Sequence, residues 1–370
     1  MKQKAKLIIM VAVEFIAVFA ILLLVFFAGK KSYTVTFDLN GGTLINGDLE
    51  QRVTRGHSAN PPQTVKEGCY LLMWSGSYSN VTRDVRVSAV WEYETTSGIH
   101  YSSDSNKNYA EISGSFSEIK GEVYIGAYYG NKILLSIKDN AFKDRDRITG
   151  MHLLSGIVTM GNSVFENCTS MVTIDMPSTV LEIGDYAFRG CESLERIVLP
   201  DGLEYIGERA FAGCKSLKEV VIPKSVKYIG AGAFDGCESL ESISFEGSFG
   251  SIYESTFRNC KSLTEIVIPD GVKSIDANVF LGCESLTKVT LPMGLKSIGE
   301  SAFSGAKALK EITIPKSISY VGATVFDTDG MVVKVAIDAN GKHIGEYSKG
   351  WCSIGVIVEE YIPTSEEANS

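Results

Sequence analysis

Phenylalanine returns every 23 residues, nine times in succession: Phe142, Phe165, Phe188, Phe211, Phe234, Phe257, Phe280, Phe303 and Phe326. Around each ring the same order of apolar and polar positions recurs. Three residues later comes cysteine in six copies, at Cys168, Cys191, Cys214, Cys237, Cys260 and Cys283. Six later comes leucine, as in Leu194, Leu217, Leu240, Leu263, Leu286 and Leu309. Nine and eleven later come paired apolar residues such as Ile197 and Leu199, or Ile312 and Ile314, whose i, i+2 spacing puts them on one inward face of a short strand. Twelve later most copies place proline, which cannot continue the ladder. Ile-Gly follows, as at Ile206-Gly207, just before the next Ala-Phe.

A fixed period of this length signifies stacked copies of one small unit. One coil cannot bury its apolar side alone, but copies laid in register bury a continuous core. Strand spacing near 4.8 Å makes the nine rungs a stack of about 43 Å, and the sheet is expected to be parallel because each copy closes a turn.

Residues 183–200 read Ile-Gly-Asp-Tyr-Ala-Phe-Arg-Gly-Cys-Glu-Ser-Leu-Glu-Arg-Ile-Val-Leu-Pro. This pattern resembles the BspA-type leucine-rich repeat over roughly residues 137–337, with residues 109–136 similar to an N-terminal cap and 338–360 to a C-terminal cap. The resemblance implies a repeat solenoid, a right-handed coil with one parallel β-sheet, of a kind found on surface proteins of bacteria and some protists, several of them adhesins. Two copies depart from the pattern. Arg145 stands where cysteine is usual, and the copy before Phe257 has Glu246 for proline, Tyr253 for glycine and Thr256 for alanine. A local bulge or a binding notch is expected there.

Residues 33–93 have a different pattern. Tyr33, Val35, Phe37 and Leu39 alternate with polar residues, Asn40-Gly41-Gly42 makes a turn, and Val85, Val87, Ala89 and Trp91 alternate again. Val35-x-Phe37, Asn40-Gly41-Gly42, Pro61-Pro62, Lys66-x-Gly68-x-Tyr70, Trp74 and Asp84-Val85-x-Val87-x-Ala89-x-Trp91 resemble an internalin-type B-repeat. That likeness implies a small α+β, β-grasp-like module acting as a spacer or adhesion unit, with no catalytic residue. Residues 94–108, polar and Ser-rich, are expected as a linker, 109–360 as the repeat domain with its caps, and 361–370 as a tail.

From Leu7 to Ala28 the chain is apolar apart from Glu14, long enough to cross a bilayer as a helix. Residues 1–31 are therefore expected as a cytoplasmic tip and transmembrane signal anchor. Lys2, Lys4 and Lys6 outweigh Lys30 and Lys31, which keeps the N-terminus inside and the bulk of the chain outside.

Charge narrows the partners. Removing the five lysines and one glutamate of the first 31 residues from the totals of 35 and 44 leaves 30 basic and 43 acidic side chains, a net of −13. Nucleic acid would need a basic footprint, so it is excluded as a partner. The four histidines, His57, His100, His152 and His343, form no His-Glu-x-x-His, and no Gly-x-Ser-x-Gly elbow occurs. An enzyme is not expected, and no cofactor or metal is implied. The cysteine column has parallel Cβ vectors that suit a disulfide poorly and is read as a buried thiol stack.

What remains is surface. Outward strand positions eight and ten after phenylalanine carry Arg196 and Val198, Glu219 and Val221, Glu265 and Val267, Lys288 and Thr290, and Glu311 and Thr313. Neighbouring charges are expected to satisfy one another across the ladder, while the valines leave apolar spots. Tyr205, Tyr228 and Tyr320, seventeen after phenylalanine, form a second candidate stripe. A protein or glycan ligand is the expected partner, in adhesion to host or neighbouring cells. The alternative is a structural envelope scaffold with no soluble ligand.

Overall fold

The computed structural model describes residues 32–361 apart from 66–68, 94, 154–155, 338–341, 344 and 354. It divides into two compact units, residues 1–94 and 95–370. The membrane span expected over residues 7–28 lies outside the described residues, as does the tail beyond Tyr361.

The first unit is built from strands. In its main sheet Glu50–Thr54, Ser32–Asp38, Val85–Tyr93 and Cys69–Ser75 lie side by side, and only the Ser32–Asp38 and Val85–Tyr93 pair is parallel. A two-stranded sheet pairs Thr43–Asn46 with Gln63–Val65. Alternation places Val35, Phe37, Val87 and Ala89 inside, where Phe37 meets Trp74 edge-on at 5.0 Å. No helix occurs among the described residues, which overturns the α+β, β-grasp-like expectation. The cause is local. The segment after Thr54 carries Gly56 at φ 84° and then Pro61-Pro62, which a helix does not accommodate. Its backbone groups are satisfied across the unit instead, Gly56 N–H to Val81 O at 2.8 Å and Ala59 N–H to Tyr78 O at 2.8 Å.

The second unit is the solenoid. The nine phenylalanine rings form one internal column, stacked at centroid distances of 5.2–5.7 Å and interplanar angles of 5–23°. All nine are at most 1% exposed and belong to a single core running from Ala110 to Val335. Trp351 closes the column edge-on against Phe326 at 6.1 Å.

Each coil contributes to two parallel ladders, not to the single sheet expected. The first ladder runs through Gly121–Ile125, Ile148–Leu153 and Thr173–Asp175, resumes at Glu219–Ile222, Ser242–Phe245, Glu265–Val267 and Lys288–Thr290, and resumes again at Glu311–Thr313, Val332–Ala336 and Ile357–Tyr361. The second runs from Tyr109–Ser115 through Lys132–Ile137, Thr159–Met160, Glu182–Ile183 and Tyr205–Ile206 to Tyr228–Ile229, then from Ser251–Ile252 through Ser274–Ile275, Ser297–Ile298 and Tyr320–Val321 to Glu346–Tyr347. The polar stretch before residue 109 carries the Ile99–Ser102 strand, antiparallel to Tyr109–Ser115 at the start of this ladder.

The six cysteines stack beside the ring column, and each thiol donates to the carbonyl of the phenylalanine one coil earlier, from Cys168 on Phe142 O at 3.1 Å to Cys283 on Phe257 O at 3.1 Å. In the first coil Arg145 takes the cysteine's place, and its guanidinium donates to Ser115 Oγ and O and to Lys143 O, closing the exposed end of the column. Burial pushes the Cys168 and Cys283 thiols up to about 12. Because the thiolate is the reactive form, iodoacetamide at pH 8 should modify the half-buried Cys352 and spare the six column cysteines until urea unfolds the chain. Peptide mass mapping reads this, and a column cysteine labelled as fast as Cys352 would refute the burial.

Candidate functional site

The outward residues of the first ladder form one long exposed face. Arg196, Glu219, Glu265, Lys288 and Glu311 lie in one column, and Val198, Val221, Val267, Thr290 and Thr313 in the next, all exposed. The valines stand furthest out, at 71% for Val198, 50% for Val221 and 63% for Val267. Three such side chains in register are an apolar stripe that water covers at a cost.

The charges on this face do not pair as expected. Arg196 and Glu219 share a backbone bridge, and Glu265 faces Lys288 in register. Neither couple closes to an ion pair among the described residues, and Glu311 reaches Lys334 instead, at 2.6 Å. Register sets the Cα positions, but long solvated side chains gain too little from an exposed contact to be held in it.

The flanks of the solenoid behave differently. One coil apart in the same column, Glu192 meets Lys215 at 2.7 Å, Glu238 meets Lys261 at 3.1 Å and Glu284 meets Lys307 at 2.9 Å. Closer to the core, Glu166 sits between Lys143 at 2.8 Å and Arg189 at 3.4 Å, and Asp235 takes two bonds from Arg258. Burial raises the Glu166 carboxyl, but hydrogen bonds from Lys143 and Ser163 and the charges of Lys143 and Arg189 outweigh it, leaving the group below its ordinary value. The flank is thus neutralised within the chain, while Arg196, Glu219, Glu265 and Lys288 are left for something else.

Two grooves open on this face, both where the ladder is interrupted. One of about 280 Å³ is lined by Arg196, Val198, Asp201, Glu219, Val221 and Glu246, beside the coil that joins its neighbour only through the Arg196 bridge. The other, of about 470 Å³, lies between Lys288–Thr290 and Glu311–Thr313 and includes Lys310, Thr313, Met293 and Tyr361. Glu246, the residue that replaces proline, lines the first groove.

The tyrosine stripe is only partly continuous. Tyr205 and Tyr228 stack at 5.0 Å and 6°, and Tyr253, the residue in the glycine position, joins them at 5.1 Å. Tyr320 stands apart, because Ser274 and Ser297 occupy the intervening register positions. Sequence reading also passed over His152, whose Nδ1 lies 2.6 Å from Asp175 and Nε2 2.9 Å from Glu122, with its ring stacked on Tyr124. The 23-residue separation of His152 and Asp175 was the available signal.

A solenoid of 23-residue coils with an internal phenylalanine column and two parallel ladders is a leucine-rich-repeat protein. The chain belongs to the family described as the BspA type leucine rich repeat region, which matches in six copies over residues 135–264 and 250–358. A leucine-rich repeat protein from Bacteroides ovatus is similar at 29% identity, with 72% of this chain and 71% of that one covered and a TM-score of 0.61. The leucine rich repeat protein of T. pallidum is 28% identical over 58% of this chain and 90% of its own, at a TM-score of 0.47. A leucine rich cell surface protein from Faecalibacterium prausnitzii is 18% identical over 75% of this chain and 96% of its own, at a TM-score of 0.39. No curated protein matches. A solenoid of this class is a scaffold for binding and not an enzyme.

Proposed function

We propose that this chain is displayed on a bacterial cell surface and binds a macromolecular partner, protein or glycan, through the outward face of its first ladder. One observation carries the reading: this face leaves charges unpaired beside exposed valines, while the flanking columns neutralise theirs one coil to the next. Interfaces combine an apolar centre with a polar rim, which is the arrangement of Val198, Val221 and Val267 between Arg196, Glu219, Glu265 and Lys288. The apolar stretch from Leu7 to Ala28 supports attachment to a membrane with the bulk of the chain outside. The internalin-type likeness of residues 33–93 supports a spacer role for that segment.

The test is the full-length chain on arrays of extracellular-matrix proteins and glycans, beside a Val198→Asp/Val267→Asp double variant and a Glu192→Gln flank variant. The double variant should lose at least about tenfold in affinity for whatever the parent binds, since two desolvated carboxylates would replace apolar contacts. Glu192→Gln should bind as the parent does. Equal binding by all three proteins, or no binding by the parent, would remove this face from the account.

A further inference from the structure

The second ladder presents tyrosines where the first presents valines. One face of the Tyr205 ring is covered by Tyr228 at 5.0 Å. Its other face looks along the column toward the preceding coil, where the residue in register is Glu182. Glu182 is exposed and makes no ion pair among the described residues, and no Lys or Arg of the described chain lies over the Tyr205 ring. Burial pushes the Tyr205 hydroxyl up, and the charges of Asp185, Glu182 and Glu208 push it further, so three carboxylates act on this one ring. Leu181, 40% exposed, borders the same strand.

The chain itself shows what such a combination holds. On the flank, Arg189 lies 5.6 Å over the Tyr186 ring while donating to Glu166 at 3.4 Å. A guanidinium suits this setting because it is planar, weakly hydrated and always charged, stacks on an aromatic face, and reaches a carboxylate with its fork. Glu166 is already held by Lys143 and Arg189, so the flank site is complete within the chain. At Tyr205 the ring face and the carboxylates are present, and the cation has to come from outside.

We propose that Tyr205, with Glu182, Asp185 and Glu208, forms a seat for an arginine side chain of a partner protein. The surface lies on the second ladder and is separate from the valine face. Charge complementarity selects the occupant, since the carboxylates disfavour an acidic segment and a neutral one leaves them unmatched.

The experiment titrates the full-length chain with a fluorescent Gly-Arg-Gly-Arg-Gly peptide and reads anisotropy. Tyr205→Ser and Glu182→Gln should each weaken binding at least about fivefold, Tyr205→Phe should stay within about twofold because the ring face is kept, and the lysine analogue should bind at least about threefold more weakly. Tyr205→Ser should fold, since Ser251, Ser274 and Ser297 occupy the same ladder position. Glu284→Gln, which removes the same charge from the flank, is the control for general attraction to an acidic chain. Binding unchanged in Tyr205→Ser, loss in Tyr205→Phe equal to that in Tyr205→Ser, equal loss in Glu284→Gln and Glu182→Gln, or equal affinity for the lysine peptide would each overturn the proposal. The Val198→Asp/Val267→Asp variant should bind the peptide as the parent does, so either surface can fail without the other.

Discussion

Phe211→Ala should destabilise the chain by about 3–5 kcal/mol, as loss of a buried aromatic ring from a packed core does. The ring is fully buried and stacks on both sides, 5.2 Å from Phe188 at 5° and 5.3 Å from Phe234 at 9°. Removing it strips one face from each neighbour. The coils on either side cannot close the gap, because their separation is fixed by backbone bonds such as Phe188 N–H to Ala210 O at 2.7 Å and Phe211 N–H to Ala233 O at 2.8 Å. The effect should reach beyond the site. In a solenoid each coil touches only its neighbours, so a weak interface in mid-stack divides one cooperative block into two. Urea unfolding followed by circular dichroism should show a lower midpoint and a broadened or split transition, while Phe211→Leu, which keeps part of the volume, should cost no more than about half as much. A loss below about 1 kcal/mol would mean that the ring column does not organise the core.

That column was the most legible feature of the sequence, for a physical reason. The 23-residue period is the coil itself, and the residues that must recur in it are those whose environment is another copy of themselves. The Phe, Cys and Leu positions and the paired strand residues therefore announced themselves. The second ladder did not. Its strands, such as Tyr205–Ile206, are two residues long, and alternation has no length over which to appear. The break in the tyrosine stripe was legible only in part, because Tyr253 joins the stack from a position that normally carries glycine. The two grooves could not be read at all. They depend on where the backbone ladder parts, between Lys288–Thr290 and Glu311–Thr313 and around Arg196, and the outward residues there follow the same pattern as elsewhere. The supposed charge pairing on the face failed because register places Cα atoms and does not decide whether exposed ends of Arg196 and Glu219 meet. The flank pairs, such as Asp235 with Arg258, form because the acid is nearly buried, at 8% exposure, and needs the partner.

Gly230→Ala should be the other severe substitution, and the reason lies in how closely coils approach. A β-carbon at residue 230 would sit 2.4 Å from Glu208 N and 2.5 Å from Gly207 C, both backbone atoms of the preceding coil. Neither can move aside as a flexible side chain would, so the coils must part, at a cost of about 1–3 kcal/mol for overpacking of this kind. The chain contains its own comparison. Tyr253 and Asp276 occupy the equivalent position in the two following copies. There the rings separate to 5.7 Å between Phe234 and Phe257 and 5.6 Å between Phe257 and Phe280, against 5.2 or 5.3 Å in the four pairs before them. The second ladder is interrupted between Tyr228–Ile229 and Ser251–Ile252. Phe245 and Phe249, 5.4 Å apart, fill the widened coil, and Thr256 in the alanine position turns its hydroxyl to Tyr253 O at 2.6 Å. The last pair, Phe303 and Phe326, also relaxes, to 5.5 Å, where the stack gives way to its cap. A side chain at this position is therefore tolerated only where neighbouring residues have been enlarged to hold the coils apart, and around Gly230 they have not. Asp276→Ala is the matched control, because the local spacing already accommodates a β-carbon, and it should change stability by no more than about 0.5 kcal/mol. If urea midpoints show Gly230→Ala to be as mild as Asp276→Ala, coil approach is not what keeps glycine there, and the ladder break at Tyr253 needs another cause.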